Sequence, residues 1–179
     1  MMTSLDGFVA TPDGGLDWVL VDEEVHTYCN ELARAHRAFL YGRRLYELMA
    51  GFWPTADEDP AAPPYVAEFA RIWRPKPKVV FSSALDRVDW NSRLERGDVV
   101  AEVKRLKSEP GADLEVGGPT LAAPLVRAGL VDEYQLIVQP VLLGAGLPFW
   151  PSDTPRQQFT LVGQRRFRSG VVLLRYQPA

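Results

Sequence analysis

Strand-like and helix-like segments alternate along this chain, and the alternation is the feature that most constrains its fold. Short β-branched and aromatic runs, such as KVVFSS at 78–83, alternate with stretches in which apolar residues recur every three or four positions. This order is typical of α/β proteins, whose helices pack against a sheet. The sequence therefore predicts an α/β fold with helices on both faces of the sheet.

The segments of the first half are expected in the following order. MMTSLDGFVA begins as a short strand and runs into a turn at Asp6 and Gly7. Apolar spacing from Asp22 to Leu40 predicts a helix, which passes into a strand at 39–42. Further helices are predicted at 43–52 and 65–73, with an exposed loop of prolines and acids at 54–64 between them.

The second half continues the alternation and ends in antiparallel structure. Asp98 is a good N-cap for a helix through Lys107, LEV at 114–116 is the next strand, and a helix follows that ends at Gly129. Pro124 conflicts with a simple helix and either kinks it or delays its start. A long strand at 132–144 and an antiparallel hairpin at 159–176, turning near Ser169 and Gly170, complete the prediction.

Composition excludes several classes of protein. A chain of 179 residues with 46% hydrophobic content is expected to form one domain over 1–179. Its net charge of −3 and its scattered basic residues argue against nucleic-acid binding. Cys29 is the only cysteine, which suits a reducing compartment, and the expected location is cytoplasmic. No apolar run is long enough for a membrane span.

Glycine and serine residues follow several predicted strands. Gly117 and Gly118 stand between the LEV strand and a helix, Gly42 follows another strand, and Ser82 and Ser83 follow a third. Ligands of open α/β sheets bind beyond the carboxyl ends of the strands, and a glycine-rich helix start offers backbone N–H groups to phosphate. A Gly-Gly before a helix is also compatible with an ordinary tight turn.

Five motifs together resemble the dihydrofolate reductase-like superfamily, and within it the riboflavin-pathway reductases and their stand-alone relatives. The motifs are SLDGFVA with GGLDW, YGRRLYE, KVVFSS, VGGPTLAAPLVRAGLVDEY and QPVLLGAGLPFW, in the family's order. The resemblance covers nearly the whole chain. It implies a three-layer, dihydrofolate reductase-like mixed sheet with an antiparallel C-terminal hairpin, and NADPH as the cofactor.

The resemblance also implies where NADPH is held. Gly42 with Arg43 and Arg44, and the turn with Ser82 and Ser83, would bind the adenosine 2′-phosphate end. The pyrophosphate would lie at Gly117 and Gly118, with Thr120 and Leu121 beside them. Guanidinium suits a phosphate monoester, which favours NADPH over NADH, and Arg43 is the first choice. Either arginine is alternatively a solvated helix residue that pairs with Glu47, and the serines an ordinary turn.

Two further expectations concern the glycine pair and the loop at 142–150. The corresponding glycines of dihydrofolate reductases are joined by a cis peptide bond, so the resemblance predicts a cis bond between Gly117 and Gly118 despite its cost of about 3 kcal/mol. The loop LLGAGLPFW, with Gly144 and Gly146, is expected to border the substrate cavity or a subunit contact, with a plain connector as the alternative.

The substrate end is implied to lie near SLDGFVATPDGGLDW. Ala10 and Gly15 would frame the nicotinamide, and Trp18 would either line the substrate pocket or belong to the core. Glu23 is the counterpart of the acidic residue that binds pterin and assists protonation in dihydrofolate reductases, although it also suits the first turn of a helix. Asp6 is a turn-forming residue first and a catalytic candidate second.

The two histidines predict no metal site. His36 lies on the apolar helix face and is expected to be an interior, hydrogen-bonded residue, whereas His26 lies off that face and is expected to be solvated. Two separated histidines without an acid cluster do not hold a metal ion.

These observations predict an NADPH-dependent reductase of a small heterocycle, similar to 5-amino-6-(5-phosphoribosylamino)uracil reductase. The zinc deaminase domain of the bifunctional enzymes and its cysteine and histidine ligands are missing from this sequence. Two alternatives remain open: a dihydrofolate reductase proper, and a non-catalytic NADPH-binding module. A homodimer is expected because related reductases pair through their sheets, and the apolar strand near 134–143 is a candidate interface.

Overall fold

The computed structural model describes residues 1–150, 153–154 and 156–179. Within these residues it has five α-helices and ten β-strands, which confirms the predicted α/β class. Contacts divide the chain into two compact units: unit 1 comprises Met1–Val25 with Ala122–Ala179, and unit 2 comprises His26–Leu121. The expectation of one domain stays a prediction. Among the described residues no helix is long and apolar enough to cross a membrane.

Unit 2 contains a four-stranded parallel sheet. Its strands are β3 (Ala38–Gly42), β4 (Lys78–Phe81), β5 (Ser92–Glu95) and β6 (Leu114–Gly117), in the order β5-β4-β3-β6. Its helices are α1 (Glu23–Ala35, with its first three residues in unit 1), α2 (Arg43–Phe52), α3 (Pro64–Trp73) and α4 (Val99–Ser108).

Unit 1 contains a mixed sheet and a small two-stranded one. The mixed sheet has the order β1-β7-β10-β9, from β1 (Met2–Thr3), β7 (Tyr134–Val138), β9 (Phe159–Arg166) and β10 (Val172–Pro178). Strand β1 is parallel to β7, and the other pairs are antiparallel. The small sheet pairs β2 (Phe8–Ala10) with β8 (Leu147–Pro148). Helix α5 (Pro119–Arg127) begins in unit 2 and ends in unit 1.

The core of unit 2 follows from the residues that its central strands contribute. All four residues of β4 are buried, as expected for a strand covered on both faces. Phe39, Tyr41 and Val80 pack with Phe69 and Trp73 of α3 in one hydrophobic cluster. This cluster fixes the helices against β3 and β4, and so fixes where those strands end.

Several local predictions are confirmed. Asp98 caps α4, since its carboxylate accepts hydrogen bonds from the backbone N–H groups of Val100 and Ala101 at 2.7 and 3.1 Å. Strands β9 and β10 form the predicted antiparallel hairpin, which turns through residues 167–171. Helix α5 begins at Pro119 and contains Pro124 in its interior, so the alternative of a delayed start is wrong.

Other predictions are wrong in extent. Helix α1 ends at Ala35 instead of Leu40, because Phe39 and Leu40 belong to the buried strand β3. The strand predicted at 132–144 is only β7, which ends at Val138 shortly before Pro140. The loop at 54–64 is anchored rather than wholly exposed, since the Asp57 carboxylate lies 2.5 Å from the guanidinium of Arg74.

Candidate functional site

The carboxyl ends of three adjacent parallel strands lie side by side in unit 2. Strands β4, β3 and β6 are neighbours in the sheet, and at their carboxyl ends stand Ser82, Gly42 and Gly117. The fold therefore brings together residues that lie far apart in the sequence, with 75 positions between Gly42 and Gly117. Helices α2 and α5 begin directly after two of these strand ends. This edge is the place where open α/β sheets bind ligands.

The glycine pair at the end of β6 has a steric reason for each residue. Gly117 is buried, and a Cβ there would lie 2.3 Å from Leu45 Cδ2, closer than any side chain permits. Gly118 has a φ of +88°, which reverses the chain before α5. All peptide bonds in the described residues are trans, so the predicted cis bond between these glycines is wrong. The positive φ makes the turn without the cost of a cis bond.

The start of α2 leaves backbone donors available at this edge. Its N-cap is Gly42, which has no side chain and so makes no capping hydrogen bond to the first turn. The first N–H groups of a helix have no partners within the helix, and its N-terminus favours anions. Leu121, buried at the start of α5, packs close to Gly42: a Cβ on Gly42 would lie 3.8 Å from Leu121 Cβ. Thr120 beside it is exposed.

The two arginines after Gly42 differ in their contacts. Arg43 is half-exposed, and its guanidinium lies 3.2 Å from the Glu47 carboxylate one turn later, the pairing left open by the sequence. Arg44 is exposed in the same first turn of α2. An exposed pair of this kind contributes little to stability, about 0.3–0.5 kcal/mol, so Arg43 can exchange Glu47 for a stronger anionic partner.

The turn after β4 is organised by its own serine and by an arginine that sequence reasoning missed. The Ser82 hydroxyl oxygen accepts hydrogen bonds from the N–H groups of Ala84 and Leu85, both at 3.1 Å. Arg96 donates to the carbonyl oxygens of Ser83 at 3.1 Å and Leu85 at 2.5 Å. Arg96 follows β5, a strand whose sequence SRLE gave no recognisable signal.

In unit 1, Asp6 holds the loop that contains Gly144. Its carboxylate accepts hydrogen bonds from the Ser4 hydroxyl at 2.6 Å, the Gly144 N–H at 2.7 Å and the Leu143 N–H at 3.2 Å. The bond from Ser4, with those from the loop, lowers the pKa of Asp6. The carboxylate is therefore ionised at neutral pH, which suits a turn-forming role better than that of a proton donor.

Two further pairs of candidate residues come together in unit 1. Ala10 is buried at the end of β2, and Gly146 approaches it so closely that a Cβ on Gly146 would lie 2.1 Å from the Ala10 carbonyl oxygen. Gly15 donates its N–H to the Thr11 hydroxyl at 2.7 Å, and its carbonyl accepts the indole N–H of Trp18 at 3.2 Å. Trp18 is half-buried.

Three consecutive acids at the start of α1 have different environments. Asp22 caps the helix by accepting the Val25 N–H at 2.9 Å. Glu24 accepts hydrogen bonds from the Arg165 side chain at 3.1 Å and the Arg168 N–H at 3.0 Å. Glu23 is exposed at the first position of the helix. The two neighbouring acids, Asp22 and Glu24, therefore have structural roles at the start of α1.

The prediction that His26 is solvated is wrong. His26 is buried, its Nδ1 lies 3.0 Å from Asn30 Oδ1, and the rings of Tyr65 and Phe69 lie 5.0 and 5.9 Å away. Burial lowers the pKa of His26. His36 is partly buried and hydrogen-bonded to Glu115 at 2.9 Å. The residues that the structure describes contain no group of three metal-ligating side chains.

Comparisons with known proteins identify relatives of this chain. Residues 1–173 match the model of the RibD C-terminal domain. The chain belongs to the RibD C-terminal domain family. An uncharacterized protein of Bacillus subtilis (strain 168), YyaP, is 31% identical over 179 residues, which cover 98% of this chain and 91% of YyaP.

Solved structures show that the fold is shared with reductases. A protein from Shewanella sp. PV-4, provisionally assigned to riboflavin biosynthesis, matches with a TM-score of 0.77 and 22% identity over 100% of this chain and 96% of that one. The deaminase/5-amino-6-(5-phosphoribosylamino)uracil reductase of Thermotoga maritima matches with a TM-score of 0.67 and 16% identity, over 99% of this chain and 55% of that one. Dihydrofolate reductase from Enterococcus faecalis, solved with NADP(H), matches with a TM-score of 0.65 and 14% identity, over 99% of this chain and 92% of that one. The RibD-type chain therefore has the dihydrofolate reductase-like fold that the sequence predicted.

Proposed function

We propose that this protein is an NADPH-dependent reductase of a small heterocyclic substrate, similar to 5-amino-6-(5-phosphoribosylamino)uracil reductase. Membership of the RibD C-terminal domain family supports a reductase. The observation that carries the cofactor assignment is the edge of unit 2, where Gly42, Ser82 and Gly117 end three adjacent parallel strands. Two helix N-termini begin at the same edge, which is an arrangement that binds phosphate groups.

The residues at this edge fit a dinucleotide with an extra phosphate. The turn at Gly117 and Gly118 would hold the pyrophosphate through backbone N–H groups, and the uncapped first turn of α2 would offer its N–H groups to the 2′-phosphate end. Arg43 and Arg44 would bind the 2′-phosphate, aided by the Ser82 and Ser83 turn, since guanidinium matches a phosphate monoester. Thr120 and Leu121 would support the start of α5 beside them.

The residues of unit 1 would serve the reacting end. NADPH supplies the hydride when it is bound. Backbone groups of Ala10 and Gly15 would contact the nicotinamide, and Trp18, Gly144 and Gly146 would shape the substrate site. Glu23 would move the proton that accompanies the hydride. Asp6 would act by positioning Gly144, because its carboxylate is already occupied by three hydrogen bonds.

Turnover of NADPH with a panel of acceptors tests this function. The panel holds pyrimidines, flavin precursors, pteridines and quinones, and the proposal expects oxidation of NADPH with a heterocycle of the first two classes. Efficient reduction of dihydrofolate would instead identify a dihydrofolate reductase. Tight NADPH binding without turnover of any acceptor would identify a non-catalytic nucleotide-binding protein.

A homodimer is part of the proposal. Strand β7 has β1 on one side and β10 on the other, so a second copy would contact it through side chains and not by adding a strand. Light scattering at micromolar concentration measures the mass, and a monomeric mass would contradict the dimer.

A further inference from the structure

Lys78, at the first position of β4, is a fully buried lysine with a complete set of hydrogen-bond acceptors. Its Nζ donates to the carbonyl oxygens of Trp73 at 2.6 Å, Lys76 at 2.8 Å and Trp90 at 2.8 Å, and lies 3.4 Å from that of Arg74. The three short bonds match the three N–H donors of an ammonium ion. We call these four main-chain carbonyl groups the carbonyl cage.

The carbonyl cage lies at the negative end of a helix. Helix α3 ends at Trp73, and Arg74 is its C-cap. The last carbonyl groups of a helix have no partners within the helix and carry the negative end of its dipole. The Trp73 ring adds a further favourable surface, since its centroid lies 3.9 Å from Nζ. These groups therefore offset part of the cost of burying the positive charge of Nζ.

The geometry distinguishes between classes of cation. The three short distances from Nζ to carbonyl oxygens are 2.6–2.8 Å. Calcium–oxygen distances are shorter, at about 2.3–2.6 Å, and magnesium–oxygen distances are shorter still, at about 2.0–2.1 Å. Among the described residues, the polar contacts of Nζ are carbonyl groups without any carboxylate. Hard divalent ions take carboxylates, whereas carbonyl oxygens alone replace the hydration shell of potassium in selective channels.

We propose that the carbonyl cage is a monovalent-cation site which the chain fills with its own lysine. Removal of the side chain beyond Cβ then leaves a site for potassium or ammonium, and makes the stability of the protein depend on whether one of these ions is present. The site belongs to the structure of unit 2 and is independent of the reductase function proposed above.

The carbonyl cage also holds a strained turn beside the sheet. Trp90 and Asn91 have φ values of 61° and 55°, a left-handed conformation that side chains disfavour. Lys78 binds both residues, through Nζ to the Trp90 carbonyl and through its N–H to the Asn91 carbonyl at 3.0 Å. Because β5 begins at the next residue, Ser92, the occupant of the cage positions β5 beside β4.

Burial and one neighbouring basic side chain act against this charge. Burial, and after it the charge of the half-buried Lys76, lower the pKa of Lys78 to about 7. Arg74 directs its guanidinium away from the cage, to the Pro54 carbonyl and the Asp57 carboxylate. Asp89 precedes Trp90, and its backbone N–H donates a hydrogen bond to the Tyr46 hydroxyl oxygen at 2.7 Å. Measurements at about pH 6 therefore keep Lys78 charged.

Melting temperatures in three chloride salts test the proposal. Wild type, Lys78→Ala and Lys78→Met are compared in choline, potassium and ammonium chloride at one ionic strength and about pH 6. Wild type is expected to melt at the same temperature in all three salts. Lys78→Ala is expected to melt about 10 °C lower in choline chloride, because buried carbonyl groups lose their partner, and to recover several degrees with potassium or ammonium.

The other variants separate a cation site from simple packing. Lys78→Met keeps an apolar stem in the cage, so no salt is expected to restore its stability. Lys76→Ala is the matched control, since Lys76 also donates to main-chain carbonyls, those of Arg34 and His36, but is half-exposed. The melting temperature of Lys76→Ala is expected to be the same in all three salts. The proposal is overturned if Lys78→Ala is as stable as wild type, or equally destabilised in every salt.

A measurement on the wild type covers the case in which Lys78→Ala does not fold. The chain has four lysines, Lys76, Lys78, Lys104 and Lys107. Proton–nitrogen NMR of their ammonium groups at about pH 6 is expected to show one slowly exchanging group, shifted by the Trp73 ring. Equal, fast exchange of all four groups would show that no ammonium is enclosed, and would overturn the proposal.

Discussion

Gly117 and Leu45 approach so closely that a Cβ on Gly117 would lie 2.3 Å from Leu45 Cδ2. Leu45 belongs to the first turn of α2, and Gly117 ends β6. This contact therefore fixes the start of α2 against the strand next to it. It explains on steric grounds why the first glycine of the pair is needed, apart from any ligand.

The contact predicts the effect of Gly117→Ala. The added methyl group must displace Leu45, which is expected to lower the free energy of unfolding by about 1–3 kcal/mol and to weaken NADPH binding. Urea denaturation and fluorescence titration measure the two effects. Combining Gly117→Ala with Leu45→Ala is expected to cost less than the sum of the single changes. Strict additivity would contradict the steric explanation.

Gly118→Ala is the matched comparison, because a Cβ at Gly118 would meet nothing within 4 Å. Gly118→Ala is expected to lower the free energy of unfolding by about 1–2 kcal/mol, only because the φ of +88° is unfavourable for alanine. Leu45→Ala is not expected to relieve this loss. Relief by Leu45→Ala would show that packing rather than backbone conformation limits this position.

Glu23 and Asp6 are expected to differ as acid–base candidates. Glu23→Gln keeps the shape of an exposed side chain at the start of α1 but removes its proton-transferring group. It is expected to lower kcat by about 100-fold or more without changing the melting temperature or the NADPH dissociation constant. Glu31→Gln, an exposed glutamate on the same helix, is the control. An unchanged kcat would exclude Glu23 from the chemistry.

Asp6→Ala is expected to act through the loop at 143–144. Loss of the carboxylate frees the N–H groups of Leu143 and Gly144, so KM is expected to rise and protease cleavage of that loop to become faster. A proton-transferring role for Asp6 would instead lower kcat while leaving the loop protected. Limited proteolysis alongside steady-state kinetics distinguishes the two results.

His26 predicts how stability depends on pH. Burial holds the pKa of His26 below its unfolded value, so the folded state favours the neutral ring. Its contribution is therefore present above the unfolded pKa of about 6.5 and is lost as the pH falls below it. The free energy of unfolding is expected to fall as the pH decreases below about 6.5 in wild type, and to fall less steeply in His26→Gln. His36→Gln, with its half-exposed Glu115 partner, is the control, and identical slopes for wild type and His26→Gln would contradict the prediction.

The parallel strands that the sequence predicted are recognisable by their apolar residues and by the residue at their end. Strands β3, β4 and β6 are short and mostly apolar, and each is closed by a glycine or followed by a serine, so the sequence indicated both the strand and its end. Strand β5 reads SRLE and lies at the sheet edge, where no buried face imposes an apolar pattern. Arg96 was missed for the same reason, because the strand that delivers it was not recognised.

His26 shows a different limit of sequence reasoning. His26, Asn30 and Arg34 recur at every fourth position of α1 and resemble a solvated stripe. In the structure, Asn30 donates to the Tyr65 carbonyl and to Glu68, and Arg34 also binds Glu68, so the stripe faces α3. A polar helix face that packs against another helix cannot be recognised until the partner is known. The gathering of Gly42, Ser82 and Gly117 was predictable because parallel strands share one carboxyl edge.

The measurement that tests the central claim most directly is nucleotide binding by tryptophan fluorescence, with NADPH and NADH at one ionic strength. Wild type, Arg43→Ala and Arg105→Ala are compared. Arg105 is the matched control, since it is an exposed helix arginine that also pairs with a glutamate four residues later. Wild type and Arg105→Ala are expected to prefer NADPH, and Arg43→Ala to lose that preference. Binding of neither nucleotide by wild type would contradict the account.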